Sequence, residues 1–129
     1  MKILTCFQSE HAILRIRLFD PIRPSPEEYV NLDNFHRYRF SVTEANGYKN
    51  EVVILKDNEC ITTSTDNPNP LGLLNTLNIQ LVPQDTEKLR PNPPNQDKIR
   101  QWTIIGEDEK GMWITLDRGY FYIDSMVAI

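Results

Sequence analysis

The sequence predicts a mainly β fold: an antiparallel small barrel or sandwich built from meanders, with two short helices at its edges. Three observations point there. Apolar and polar side chains alternate with period two along most of the chain. Clusters of turn residues separate the alternating runs. Nine prolines against five glycines break the chain often and in pinned rather than floppy ways. At 129 residues a single domain, 1–129, with one continuous core is expected.

In chain order the alternation places strands at 3–7, 11–19, 37–44, 48–56, 59–63, 78–82, 99–105, 112–116 and 120–126. The run "SPEEYVNLDNFH" reads as a helix, with Ser25 as N-cap, Pro26 opening it and Glu28 completing a capping box. "NPLGLLNTLN" reads as a second helix, capped by Asn69 and weakened by Gly72. Asn46-Gly47 is the clearest turn, a two-residue hairpin signal. Pairing Ala45 with Tyr48 sets Glu44 against Lys49, Phe40 against Val53 and Tyr38 against Leu55, a self-consistent register. Asp57-Asn58 is read as a second two-residue turn, making residues 37–63 a three-stranded meander. "GEDEKG" and "DRG" are read as the turns of another, 99–126. Between them lies "VPQDTEKLRPNPPNQDK", with no apolar period and four prolines, expected to be a long extended loop at 83–98 within the domain.

Composition bounds the function. A net charge of −4 argues against a general nucleic-acid binder. Residues 1–50 carry seven Lys/Arg against six Asp/Glu, and residues 51–129 seven against twelve, so any basic patch is local. The start lacks the apolar stretch of a secretory signal, and no run approaches the ~20 residues of a membrane span. A cytoplasmic location with no membrane association is the expectation. Cys6 and Cys60 lie far apart, outside any metal-binding spacing, and read as buried thiols. His11 and His36 stand without ligand neighbours, and no metal site and no cofactor is expected. "GEDEKG" lacks the ligand spacing of a calcium loop, and "RPNPP" lacks the second step of a proline-rich ligand. No phosphate-loop, nucleophile-elbow or zinc-protease motif occurs, so the chain is not expected to be an enzyme.

Two features suggest binding surfaces. "ILRIRLF" and "RYRFSV" set arginines on alternate positions, putting Arg15 and Arg17 on one strand face and Arg37 and Arg39 on another. Were these strands neighbours, four guanidiniums would share one surface with same-face spacings of ~6.6 Å. In the last third, Trp102, Trp113, Tyr120, Phe121 and Tyr122 crowd together, with Tyr120 and Tyr122 on one side of their strand and Phe121 and Ile123 on the other. Aromatics and arginines are enriched at interface centres and in base-stacking platforms. The apolar end "MVAI" is expected to pair within the sheet or across a dimer. The reading is therefore a non-catalytic accessory or inhibitor module, of bacterial or phage type, that binds another protein. Its candidate contacts are Arg15, Arg17, Arg37, Arg39, Trp113, Tyr120 and Tyr122, with the 83–98 loop beside them. The alternatives are single-stranded nucleic-acid binding on an arginine and aromatic sheet face, and a β-barrel enclosing a small ligand.

Overall fold

A computed structural model describes residues 2–18, 32, 35–46, 48–64, 76–96 and 98–125. Eight strands carry the fold among these residues: β1 (Lys2–Phe7), β2 (Ala12–Arg17), β3 (Phe35–Asn46), β4 (Lys49–Lys56), β5 (Ile61–Ser64), β6 (Thr76–Leu81), β7 (Arg100–Asp108) and β8 (Trp113–Asp124). They form two sheets, a five-stranded one in the order β1-β8-β7-β3-β4 and a three-stranded one in the order β2-β6-β5. The inner faces meet in one core. Tyr38, Phe40, Val42, Ile54, Trp102, Ile104, Phe121 and Ile123 come from the first sheet, and Leu14, Ile16, Ile61, Leu77, Ile79 and Leu81 from the second. Phe40 lies against Trp102 (ring centroids 6.2 Å) and Phe121 (6.5 Å) at its centre. Among the described residues the two sheets are not joined edge to edge, and the architecture is a two-layer sandwich rather than a barrel.

The period-two reading placed a strand at each of these eight, though it split β8 in two, and the structure corrects how they connect. Pairing is antiparallel except for β1, which runs parallel to β8. The expected helices fall mostly outside the described residues, but their ends are strand: Phe35 and His36 begin β3, and Thr76, Leu77 and Asn78 begin β6. Asp57-Asn58 does not make a hairpin. A 3-10 turn, Asn58–Cys60, sends the chain across to the other sheet, so residues 37–63 are not a meander. Tyr38 N–H donates to Asn58 Oδ1 at 3.1 Å and ties that turn to β3. "DRG" is no turn either. Asp117, Arg118 and Gly119 lie inside β8, which runs unbroken for 12 residues.

The β3–β4 hairpin forms with a different register. It closes on Asn46↔Lys49, so the pairs up to Val52 sum to 95 rather than 93, a shift that keeps residues 49–52 on their expected faces. Between Thr43↔Val52 and Val42↔Ile54 the strand carries a bulge, with Val53 unopposed. One extra residue reverses the faces beyond it. Ile54 and Lys56 therefore point inward, while Leu55, expected in the core, is 53% exposed. Lys56 is tolerated inside because its Nζ meets Asp85 Oδ2 at 2.6 Å. Asp85 also accepts the Val82 N–H at 2.7 Å, fixing a single helical turn, α1 (Pro83–Thr86).

That turn opens the segment expected to be an extended, exposed loop, and the segment is instead held against the sandwich. Arg100, 1% exposed at the start of β7, donates through Nη1 to Asn92 Oδ1 (2.6 Å) and through Nη2 to the Arg90 carbonyl (2.7 Å). Nη2 also faces Glu44 Oε1 at 3.3 Å, its cross-strand neighbour on β3. Asn92 in turn donates its N–H to the Ile123 carbonyl (2.7 Å) and accepts the Ile123 N–H on Oδ1 (3.0 Å). Gln8 Nε2 donates to the Leu89 carbonyl, and Ser9 N–H to Thr86 Oγ1. With Asn92 buried, "RPNPP" is structural, not a ligand for a proline-reading groove.

Gly106, read as part of a loop, is inside β7. A Cβ there would approach Phe35 Cδ1 to 2.9 Å and Leu116 Cδ1 to 3.0 Å, so only glycine lets that ring lie on the strand. Cys6 is buried, as expected, and Cys60 is half-buried in the 3-10 turn; both are free thiols.

Two outcomes follow. Asn92→Ala strips Arg100 of a buried acceptor and Ile123 N–H of its partner, and should cost on the order of 2–3 kcal/mol, read by urea denaturation. A loss under about 1 kcal/mol would show that the guanidinium does not need Asn92. Burial pushes the Cys6 thiol from 9.0 up to about 11, against the Arg100 charge that lowers it and with Asp85 adding to the rise. Between those pH values the unfolded chain holds fewer protons than the folded one, so stability falls as pH rises from 9 to 11. Cys6→Ala should flatten that part of the stability profile.

Candidate binding face

The outer face of the five-stranded sheet is ruled by its pairing. One complete row runs Ile3, Tyr120, Gln101, Thr43, Val52 across β1, β8, β7, β3 and β4. The next is Arg118, Thr103, Ser41, Leu55, and then come Thr115, Ile105, Arg39 and finally Trp113, Glu107, Arg37. Tyr120 and Tyr122 point outward and are half-buried, with Phe121 and Ile123 fully buried beneath, as the alternation required. The face is polar along its middle, and its exposed apolar groups stand at its margins: Ile3 and Phe7 on β1, Val52 and Leu55 on β4, and Trp113 on β8.

Trp113 is the focal point. The Arg39 guanidinium carbon lies 5.1 Å from its ring centroid and that of Arg37 5.8 Å, both within cation–π range. Arg39 Nε also donates to Asp57 Oδ1 at 2.9 Å. Both members of that ion pair are well exposed, so it contributes little to stability; its effect is to hold the guanidinium over the ring. Trp113 remains 38% exposed. Ile114, on the other side of the strand, is 42% exposed and Met112 61%, so the tip of the β7–β8 hairpin runs beyond the cover of the second sheet.

A bulge in β8 makes this cluster. Ile104 pairs with Asp117 and Ile105 with Thr115, leaving Leu116 unopposed. Trp113 and Tyr120 are seven residues apart, and strict alternation would put them on opposite faces. The extra residue brings both outward. Five of the expected contact residues, Arg37, Arg39, Trp113, Tyr120 and Tyr122, thus share one surface.

Arg15 and Arg17 do not join them. They lie on β2, in the three-stranded sheet, and project from the opposite side of the sandwich. The condition for a shared four-arginine surface, that the two strands be neighbours, is not met, so the phosphate-spaced row that motivated the nucleic-acid alternative does not form. Sequence reading also missed Asp57 and Met112 as members of the Trp113 corner. The signal for Asp57 was its place beside a turn, but its partner depended on where β4 ended.

Among the described residues no group of three or more His, Cys, Asp or Glu is placed to hold a metal ion, and His11 and His36 are exposed. No helix among them is long and apolar enough to cross a membrane.

The cluster's geometry predicts a spectroscopic result. Trp102 is wholly buried, so quenching by acrylamide reports Trp113. Arg37→Ala with Arg39→Ala should raise the quenching constant, because both guanidinium covers are lost. An unchanged constant would mean that the arginines do not rest on the ring.

No protein-family model matches the chain, and a search of curated proteins finds no match. Among solved structures the chain is similar to murine CRIg, with a TM-score of 0.38 and 10% identity over 97% of this chain and 92% of that one. It is similar at the same TM-score and identity to a structure from photo-crosslinking analyses of multimeric cell-adhesive interactions of VGSC beta subunits, over 97% and 91%. Likeness at this level transfers no residue role, and the sandwich stands on its own strand pairing.

Proposed function

We propose that this chain is a non-catalytic protein-binding module, of the accessory or inhibitor kind, that docks through the outer face of its five-stranded sheet. The observation that carries this reading is the Trp113 corner: an exposed indole on β8 with two guanidiniums of β3 within cation–π range of its ring, across the intervening β7. Trp, Tyr and Arg are the side chains that dominate interface energetics. Here they are ordered before any partner arrives, which lowers the entropy cost of docking. Tyr120 and Tyr122 extend the contact along β8, and Ile3, Val52 and Leu55 supply apolar area at the margins. The 12-residue β8 gives the surface a stiff spine. The 83–98 segment, once a candidate contact, contributes to the scaffold through Asn92.

The test is affinity capture from the native host with the wild-type chain, Trp113→Ala, and Thr62→Ala on the opposite sheet. A partner retained by wild type and Thr62→Ala should lose about 2 kcal/mol or more with Trp113→Ala, roughly thirtyfold in affinity. Capture indifferent to Trp113, or no specific capture, would overturn the reading.

A further inference from the structure

β1 is an edge strand: it pairs with β8 on one side, and among the described residues no strand pairs with it on the other. Gln8 N–H donates to the Asp124 carbonyl at 2.9 Å, so the even-numbered positions turn their N–H and C=O groups towards β8. Because these directions alternate along a strand, the backbone groups of Ile3, Thr5 and Phe7 point out from the open edge. The side chains of the same three residues lie on the outer face and are exposed, Ile3 by 49% and Phe7 by 44%. Tyr120 and Tyr122 on β8 flank Ile3 and Thr5. No charged residue and no proline falls between Ile3 and Phe7, and the pairing with β8 runs without a bulge. Devices that blunt edge strands are present on β4, which carries Lys49, Glu51 and the bulge at Val53, but not on this stretch of β1.

We propose that two copies of this chain pair through β1, antiparallel, about a dyad at Thr5. The backbone selects that register. Antiparallel strands exchange hydrogen bonds between residues whose groups both point across the gap. With Thr5 opposite the partner's Thr5, Ile3 falls opposite the partner's Phe7 and Phe7 opposite the partner's Ile3, so all three outward positions are used. Sliding one way sets Ile3 opposite Ser9, whose φ of 60° ends the strand and whose N–H is already bonded to Thr86 Oγ1. Sliding the other way moves Phe7 past Lys2, the first residue of β1. The side chains agree with the backbone, since aromatic with β-branched and Thr with Thr are pair types that stabilise cross-strand contact. The dyad is normal to the sheet, so the two five-stranded sheets join into one and both outer faces look the same way. This pairing does not rest on docking at Trp113, although a partner with two matching sites would bind the joined sheet more tightly. β1 is six residues long, which keeps the interface below about 1,200 Å² and makes the dimer one that concentration shifts.

Sedimentation velocity tests the proposal: across about 5 to about 500 µM the wild-type chain should pass from monomer to dimer. Ile3→Lys with Phe7→Lys sets like charges opposite each other at both ends of the paired strands and should weaken association at least about tenfold. Ile3→Lys with Phe7→Glu sets opposite charges in the same places and should restore most of it, a result that the Thr5-centred register requires. Val52→Lys on β4 and Trp113→Ala should leave association unchanged, which separates this pairing from one at the other edge and from docking at Trp113. All four positions are exposed, and circular dichroism checks that each variant folds. A wild-type chain that stays monomeric to about 500 µM would overturn the proposal whatever the variants do. So would a dimer that survives Lys at both positions, one that the Lys and Glu combination does not recover, or one lost with Val52→Lys or Trp113→Ala.

Discussion

The buried guanidinium of Arg100 constrains more of this molecule than any other single group. It sits at the base of β7, the strand between β3 and β8, and water does not reach it. A charge in that position destabilises the fold by several kcal/mol unless partners surround it. Glu44, Asn92 and the Arg90 carbonyl meet that demand at its two Nη groups, while the buried Nε has no partner, and Asn92 can do so only because its segment passes over the end of the sheet. The prolines of that segment then act as stiffeners of a fixed path. The same path lets Gln8 and Ser9 bond to it, joining the β1–β2 turn to Leu89 and Thr86.

With the end of the sandwich fixed, two bulges decide what its surface offers. At Val53 the extra residue turns Ile54 into the core and leaves Leu55 and Val52 outside. At Leu116 it turns Trp113 outward, onto the face that already carries Arg37 and Arg39. Without that second bulge the indole would point to the other side of β8, away from both arginines. A bulge also twists its strand, and on β4, a sheet edge, that works against pairing with a further chain.

Charge divides between the two outer faces. One presents guanidiniums against an aromatic ring; the other carries its arginines beside a polar groove. The sheets pack roughly 10 Å apart, and their outward side chains point away from each other, so neither pair sees much of the other's field.

How much of this was legible beforehand follows from the range of the forces. Period-two alternation is a local signal, so the approximate strand positions and the inward side of Tyr38, Phe40 and Val42 could be read directly. That Tyr120 and Tyr122 oppose Phe121 and Ile123 could be read for the same reason, whereas which pair faces the core was decided by the fold. Which strands pair is decided by the burial of whole faces against one another, and local pattern says nothing of it. Hence the 3-10 turn that carries β5 to the other sheet, the parallel β1, and the split of the four arginines came only from the fold. The bulges belong to the same class: a sequence in which Val52, Val53, Ile54 and Leu55 are all apolar permits either face inward, and only the fit to Phe40 and Val42 across the strand chooses. The candidate residues were set by the chain's own chemistry, but their grouping into two separate surfaces was set by long-range packing.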